Sequence, residues 1–321
     1  MFEDNKIIVF DGAMGTMIQK YGLKGSKIPE LYNITDPDII QQIHGKYVDA
    51  GCDIITTNTF GANSNKLLNS LYSVKDVIQA AVTNAKKVSQ GRKVALDIGP
   101  LGMLMEPSGP MSFEQAYELF REQVLAGTEA KVDLIIIETI SDIYEAKAAI
   151  LAAKENSNLP VICTMTLGQD GRTFTGTDIL TMVNVLQGLG VEALGLNCSL
   201  GPDEMYNHVK KVLEYSYVPV IVQPNAGLPK IRNGQTVYDI TAGYFAQRLC
   251  DMVDMGVRIV GGCCGTDERF IKELAEKVKN KVPKKTVPKE ITMISSYCRT
   301  VVVDDGFTII GERINPTGKP S

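Results

Sequence analysis

Short apolar segments and amphipathic segments alternate eight times along this sequence, and that alternation limits the folds available to the chain. The apolar segments are rich in Val, Ile and Leu, as in parallel strands that are buried on both faces. Eight strand–helix units are the number found in a closed (β/α)8 barrel. The predicted strands are residues 6–10, 53–57, 94–98, 134–137, 161–166, 193–197, 218–222 and 257–260. The predicted helices are residues 36–51, 74–89, 113–129, 142–155, 177–189, 203–215, 241–255 and 267–279.

An open, doubly wound α/β sheet is the alternative arrangement for such a pattern. That fold commonly carries a Gly-x-Gly-x-x-Gly motif or a P-loop after its first strand. Here the first strand is followed by residues 11–16, which read DGAMGT and predict a glycine-rich turn carrying a carboxylate. We therefore predict an α/β protein with a (β/α)8 TIM barrel.

The composition changes after residue 280. Residues 281–289 are rich in lysine and proline, which is typical of a linker. Strand-like apolar segments follow at 300–303 and 307–316. We predict a barrel at 1–280, a linker at 281–299 and an extension at 300–321, which is either the start of a second domain or an arm that folds back on the barrel.

The overall composition excludes several classes of protein. Hydrophobic residues make up 44% of the chain and charged residues 22%, as in soluble globular proteins. The net charge of -4 predicts no nucleic-acid partner, and no apolar segment reaches the length of a membrane span. Seven cysteines without dense spacing fit reduced thiols, so we expect a cytoplasmic protein.

Three cysteines lie at the ends of predicted strands. Cys198 follows strand 193–197, while Cys263 and Cys264 follow strand 257–260 between glycines. The carboxyl ends of barrel strands share one face, so we expect the three thiols to converge. Adjacent cysteines form a disulfide only with strain, whereas three thiolates hold zinc and leave a fourth position open. For Cys198 alone, an ordinary buried cysteine would be the simpler interpretation.

Other polar residues end strands at the same predicted face. They are Asp11, Asn58, Asp97, Glu138 and Asn225. Buried charges are costly unless they have partners, so the cluster indicates a binding site. For Asp11 and Glu138, hydrogen bonding to backbone amides or helix starts is nearly as good an interpretation, and Asn225 is typical of a turn.

The predicted thiol cluster favours one class of chemistry. A zinc ion with three thiolate ligands suits the binding of a further thiol, which loses its proton and stays nucleophilic. This predicts alkyl transfer to a thiol. Carboxylates at the same mouth, such as Asp11 and Glu138, would hold an ammonium group, and the substrate would then be a thiol amino acid.

Five motifs extend this interpretation. They lie at residues 11–16, 57–62, 197–199, 224–227 and 261–265. In this order they resemble the homocysteine S-methyltransferase family over residues 5–280, most closely the homocysteine-binding modules of the cobalamin-dependent methionine synthases. Residues 307–318 resemble the first strand of the pterin-binding domain that follows in those enzymes.

The resemblance implies roles for seven residues. Cys198, Cys263 and Cys264 would be the zinc ligands, with homocysteine sulfur in the fourth place. Asp11, Gly12 and Glu138 match positions that bind the amino-acid part of homocysteine, and Asn225 matches a position that fills or borders the fourth place without substrate.

The resemblance also implies the methyl donor and the partners. The donor would be methylcobalamin, held on another module and recharged by methyltetrahydrofolate. The cobalamin-binding and folate-binding modules would lie in the same longer chain or in separate subunits. Three alternatives remain: a relative that takes methyl from S-methylmethionine, S-adenosylmethionine or a betaine, a non-enzymatic barrel with structural zinc, and a redox-sensing thiol protein.

Overall fold

A computed structural model describes residues 6–23, 28–232 and 235–303 of the chain. Its main sheet has eight parallel strands in the order β1-β10-β7-β6-β5-β4-β3-β2. The strands of this sheet are β1 (Ile8–Val9), β2 (Ile54–Thr56), β3 (Lys93–Ile98), β4 (Leu134–Ile140), β5 (Val161–Met165), β6 (Ala193–Asn197), β7 (Val220–Gln223) and β10 (Ile259–Val260). Each coincides with a predicted strand.

The sheet closes on itself. Its two end strands in this order, β1 and β2, meet through a parallel bridge between Phe10 and Ile54. The Asp11 amide donates to the Ile54 carbonyl at 3.1 Å, and the Asp53 amide donates to the Val9 carbonyl at 2.7 Å. The fold is a (β/α)8 TIM barrel, and this prediction is confirmed.

Helices follow the barrel strands and pack around them. They are α1 (Met14–Lys20), α2 (Tyr32–Thr35), α3 (Pro37–Asp49), α4 (Val74–Val88), α5 (Phe113–Glu129), α6 (Ile143–Asn156), α7 (Ile179–Gly188), α8 (Pro202–Tyr215), α9 (Ala242–Met255) and α10 (Glu268–Val278), with a 3-10 turn at Pro29–Leu31. Several starts are set by the sequence: Ser73 and Ser112 form capping boxes with Asp76 and Gln115.

Two apolar layers stabilise the barrel. An inner cluster fills its interior, as side chains do in TIM barrels. A second and larger layer lies between the strands and the helices and includes Phe120, Val124 and Leu186. The inner cluster consists of Ile8, Phe10, Ile54, Ala95, Leu134, Ile136, Ile162, Ala193, Ile221 and Ile259.

The structure adds elements that the sequence pattern did not predict. Helix α1 occupies residues expected to form a glycine-rich turn, because Met17 and Ile18 pack into the core there. After β7 the chain forms an antiparallel hairpin of β8 (Lys230–Arg232) and β9 (Gln235–Val237). A second hairpin pairs β11 (Thr292–Ser295), which lies in the predicted linker, with β12 (Thr300–Val303), where a strand was predicted. Short, locally paired strands of this kind carry too few residues for a clear periodic signal.

The C-terminal segment is attached to the outside of the barrel. The Lys289 amide donates to the Glu214 carbonyl at 2.9 Å, and the Tyr297 hydroxyl donates to Asp142 Oδ2 at 2.9 Å. The β11–β12 hairpin packs on α7. The domain boundaries at 280 and 299 remain predictions, and the segment 307–318 that resembles a pterin-binding domain lies outside the described residues. Among the described helices, none combines the length and apolar character needed to cross a membrane.

Candidate active site

A cavity of about 230 Å³ opens at the carboxyl ends of the barrel strands. The ends of β2, β3, β4 and β7 and the segments after β1, β2, β6 and β10 contribute to its walls, as expected for the catalytic face of this fold. Its lining includes the predicted residues Asp11, Gly12, Asn58, Asp97, Glu138, Cys198, Cys263 and Cys264. None of the described residues that line it is a lysine, arginine or histidine.

Three cysteine thiols meet at one side of this cavity. The sulfurs of Cys198, Cys263 and Cys264 all lie within 4.8 Å of one another. The Cys198 and Cys264 sulfurs are 3.8 Å apart. Two thiolates bound to one tetrahedral zinc at the usual Zn–S distance would lie about 3.8 Å apart. The donor type and the spacing therefore fit a zinc ion held by three cysteines.

Backbone hydrogen bonds from the loop after β7 hold the cysteines. The Cys198 amide donates to the Gln223 carbonyl at 3.0 Å, and the Cys263 amide donates to the Pro224 carbonyl at 2.9 Å. Cys198 itself has φ +57°, a left-handed conformation that is uncommon for a residue with a side chain. Such strain persists where surrounding structure fixes it, and it is concentrated at functional sites.

The three thiols cannot all lose their protons independently. Hydrogen bonds from Cys198 and Cys263 lower the pKa of the Cys264 thiol to about 3. The same hydrogen bonding with Cys198 and Cys264 raises the pKa of Cys263 well above its ordinary value. Packing the three thiols together therefore opposes the loss of all three protons, and a bound cation would stabilise three thiolates together.

Asp11 is buried and already hydrogen-bonded. The Thr56 amide donates to Asp11 Oδ2 at 2.8 Å, and the Thr56 hydroxyl lies 3.1 and 3.2 Å from the two carboxylate oxygens. Burial raises the pKa of Asp11 to about 8, which outweighs the lowering by these hydrogen bonds. Asp11, which follows β1, is therefore hydrogen-bonded to β2, and it also lines the cavity.

Glu138 lies in β4 and lines the same cavity as the cysteines. Asn197 and Thr139 form the hydrogen bonds around it. Asn197 Nδ2 donates to Thr139 Oγ1 at 2.7 Å and lies 3.4 Å from Glu138 Oε2, while the Thr139 amide donates to Asn197 Oδ1 at 2.9 Å. These bonds hold Thr139 at φ +62°. Desolvation raises the pKa of Glu138 to about 7, and the charge on Cys264 adds to the shift.

Gly12 sits where no side chain fits. A Cβ there would lie 2.9 Å from Thr266 Oγ1 and 3.0 Å from the Tyr47 hydroxyl. The next amide, that of Ala13, donates to Thr266 Oγ1 at 3.2 Å, and Thr266 Oγ1 donates to the Cys263 carbonyl at 2.7 Å. The turn after β1 is thereby linked directly to the cysteine loop.

Asn225 lies between the two cysteine loops and is not among the described residues that line the cavity. Its amide donates to the Leu200 carbonyl at 2.9 Å, and the following amide, of Ala226, donates to the Cys264 carbonyl at 2.9 Å. Asn225 is 3% exposed, and its Oδ1 has no hydrogen-bond partner among the described residues. A buried acceptor without a partner is unusual, and this one lies on the segment that joins the two cysteine loops.

Sequence reasoning missed Glu30 and Tyr238 of this region, and it placed Asp97 in the strand-end cluster without a specific role. Glu30, from the 3-10 turn, lines the cavity and accepts from the Gly61 amide at 2.6 Å. Asp97 lines it from the end of β3. The Tyr238 hydroxyl is hydrogen-bonded to the Cys264 thiol, while desolvation and the nearby thiol charges raise its pKa. Asp97 carried a usable signal in its strand-end position, whereas Glu30 and Tyr238 lie in irregular segments that no periodicity identifies.

Comparison with known proteins gives the relationships of the chain. Residues 8–278 match the family described as homocysteine S-methyltransferase. The chain is 31% identical to methionine synthase of Mycobacterium tuberculosis, in a match that covers 98% of the chain and 28% of that relative.

Solved structures support the fold. The homocysteine methyltransferase MmuM from Escherichia coli superposes in its oxidized form with a TM-score of 0.72 at 22% identity, covering 86% of this chain and 97% of MmuM. Its metallated form gives 0.71 at 23% identity with the same coverage. The family match spans nearly the whole barrel. The chain therefore belongs to the homocysteine S-methyltransferase family, a family of methyltransferases.

Proposed function

We propose that this chain binds homocysteine and uses zinc to activate its thiol for methyl transfer from methylcobalamin, giving methionine. The observation that carries the proposal is the convergence of Cys198, Cys263 and Cys264 in a cavity that is also lined by carboxylates. The three cysteines suit a zinc ion that binds the substrate thiol, and the carboxylates suit the substrate's ammonium group.

Cys198, Cys263 and Cys264 would hold the zinc. Zinc bound there supplies Lewis acidity, which favours the deprotonated form of a thiol placed in the open position. Asn225 would border that position through its buried Oδ1, which has no described partner.

The remaining site residues bind and orient the amino acid. Glu138 and Asp11 would hold the ammonium group, since both carboxylates face the cavity. Gly12 would present its backbone to the amino acid, since it lines the cavity and its missing side chain lets the turn after β1 pack closely on Thr266. These contacts fix the direction of the sulfur and make the transfer effectively intramolecular.

In the transfer step the substrate thiol would give up its proton to solvent, and the sulfur lone pair would form the new S–CH3 bond as the bond between the methyl group and its donor breaks. The donor keeps the electron pair of the bond that breaks, so no further oxidant or reductant is needed. Methylcobalamin would be presented by another module and recharged from methyltetrahydrofolate by a folate-binding module. In support, the match covers only 28% of the mycobacterial methionine synthase, which leaves room for such modules in that relative.

A cytoplasmic location completes the proposal. Thiols that bind zinc must stay reduced, and the reducing cytosol favours this state. The seven cysteines are all free in the structure.

The test is methionine formation by the zinc-loaded chain from homocysteine and free methylcobalamin, followed by mass spectrometry and by the visible spectrum of the cobalamin. The proposal predicts methionine and loss of methylcobalamin in equal amounts. Methionine formed only from S-methylmethionine, S-adenosylmethionine or a betaine would contradict the assigned donor. Zinc binding without transfer from any donor would instead favour a non-enzymatic zinc barrel.

A further inference from the structure

One buried carboxylate oxygen of the cavity lining has no hydrogen-bond partner among the described residues. Asp97, on β3, lines the cavity and is 7% exposed. Its Oδ1 is buried without a hydrogen-bond partner among the described residues. Leaving a buried carboxylate oxygen unpaired costs free energy, and native structures rarely do so without a functional reason.

The other carboxylates of the cavity are more fully engaged. Both oxygens of Asp11 accept from Thr56, and Glu30 Oε1 accepts from the Gly61 amide at 2.6 Å. Glu138 has only a long contact of 3.4 Å, from Asn197. Asp97 and Glu138 therefore retain the most capacity to accept hydrogen bonds from a ligand.

Lys66, a cation whose charge acts on Asp97, makes no described hydrogen bond to its Oδ1. Lys66 acts on Asp97 through its charge, but its Nζ donates to the Pro100 carbonyl at 2.8 Å and lies 5.4 Å from the centre of the Phe60 ring. Lys66 is also not among the described residues that line the cavity. Since no lysine, arginine or histidine is among the described residues that line the cavity, we look to the ligand for a cation that pairs with Asp97 there.

The backbone around Asp97 is fixed by the neighbouring loop. The Asp97 amide donates to Thr57 Oγ1 at 3.2 Å, and Thr59 Oγ1 donates to the Asp97 carbonyl at 2.7 Å. Thr57 Oγ1 and Thr59 Oγ1 are themselves 2.7 Å apart. A carboxylate on a rigid strand with bonds on both sides is already placed for binding, which reduces the entropy lost when a ligand arrives.

We propose that Asp97 is a further ligand of the substrate's ammonium group, beside Glu138 and Asp11, and that it makes the site specific for amino-acid thiols over thiols without an amine. This inference rests on the proposed function. An ammonium group has three donors and no acceptor, so it satisfies the unpaired Oδ1 and still reaches Glu138. Its charge also offsets the repulsion among the four carboxylates of the cavity, which are Asp11, Glu30, Asp97 and Glu138.

The test compares two ligands that differ only in the amine. Isothermal titration of the zinc-loaded chain measures Kd for homocysteine and for 4-mercaptobutyrate, which has the same thiol and carboxylate but no ammonium group. Asp97→Asn keeps the shape and removes the charge. We expect it to raise the Kd of homocysteine about 10- to 100-fold and to change the Kd of 4-mercaptobutyrate less than about twofold.

Two controls separate binding from folding. Asp38→Asn changes an exposed carboxylate on α3 and should leave both Kd values unchanged. Zinc content and the thermal midpoint of Asp97→Asn should match those of the wild type, because no described hydrogen bond to that carboxylate is lost.

The outcomes are distinct. Equal weakening of both ligands would show that Asp97 acts on the structure of the site, and unchanged homocysteine binding would show that it does not contact the amine; either result overturns the inference while the proposed function stands. A wild-type chain that binds neither thiol would overturn the proposed function and this inference with it.

Discussion

The sulfurs of Cys198 and Cys264 lie 3.8 Å apart although 66 positions separate them in the sequence. Two loops of the closed barrel, one after β6 and one after β10, produce this proximity. The strands between them supply the matching backbone hydrogen bonds, so the pair is fixed by the fold and not by local sequence.

Loss of any one thiol should abolish zinc retention. Replacing Cys198, Cys263 or Cys264 with serine should reduce the zinc content from about one ion per chain to near zero after dialysis against a chelator. Cys298→Ser is the matched control, since Cys298 lies outside the cavity lining and should keep its zinc. Atomic absorption measures both, and full zinc in a variant of the cluster would refute the assigned ligand.

Glu138→Gln should weaken homocysteine binding by about 10- to 100-fold while zinc stays bound. The reason is the loss of a charge-assisted hydrogen bond to the ammonium group, which contributes about 1.5–3 kcal/mol. Glu145→Gln is the control: Glu145 is also a buried glutamate whose pKa desolvation raises to about 7, but it accepts from the Leu101 amide outside the cavity lining. Isothermal titration calorimetry measures the Kd for homocysteine, and equal values for wild type and Glu138→Gln would rule out the ammonium contact.

Gly12→Ala should lower both stability and substrate affinity. The new methyl group would meet Thr266 Oγ1 at 2.9 Å, which displaces the contact between the first turn and the cysteine loop. We expect a cost of about 1–3 kcal/mol in the free energy of unfolding. Gly45→Ala on α3 meets no atom within 4 Å and should stabilise the chain by about 0.5–1 kcal/mol. Urea unfolding measures both changes. An unchanged free energy of unfolding in Gly12→Ala would show that the turn after β1 can shift to accommodate a methyl group.

His44 should make stability depend on pH. It is fully buried in α3, neither ring nitrogen has a hydrogen-bond partner in the part of the chain that the structure describes, and desolvation lowers its pKa from 6.5 to about 4. Between these values the unfolded chain binds a proton that the folded chain does not, so stability falls as pH falls. Through His44, the free energy of unfolding should be about 2 kcal/mol lower at pH 5 than at pH 7.

His44→Leu removes the titrating group and isolates its contribution. Unfolding free energies of wild type and variant should diverge by that amount between pH 7 and pH 5. Parallel pH profiles for the two proteins would mean that His44 keeps its ordinary pKa in the folded chain.

The sequence allowed the barrel to be predicted because its main elements are long and periodic. Helix α5 was predicted at 113–129, where it is found, since Ser112 marks its start and its apolar face repeats regularly. Helix α1 was missed because its glycine suggested a turn, whereas burial of Met17 and Ile18 favours a helix there. Tertiary packing of this kind cannot be predicted from the local sequence pattern.

The convergence of the cysteines could also be predicted, because the barrel rule places strand ends together. The partners that orient the site could not be predicted in the same way. The bonds between Asn197 and Thr139, and those between Asp11 and Thr56, depend on side-chain directions that the sequence pattern does not define. That Asp97 Oδ1 and Asn225 Oδ1 have no partner among the described residues could also not be predicted, because it depends on the positions of all neighbouring side chains.

X-ray absorption at the zinc edge, measured with and without homocysteine, tests the central claim most directly. The account predicts one zinc with three sulfur neighbours at about 2.3 Å, and four when homocysteine is present. A zinc whose sulfur count stays the same on addition of homocysteine, or a chain that binds no zinc, would contradict it.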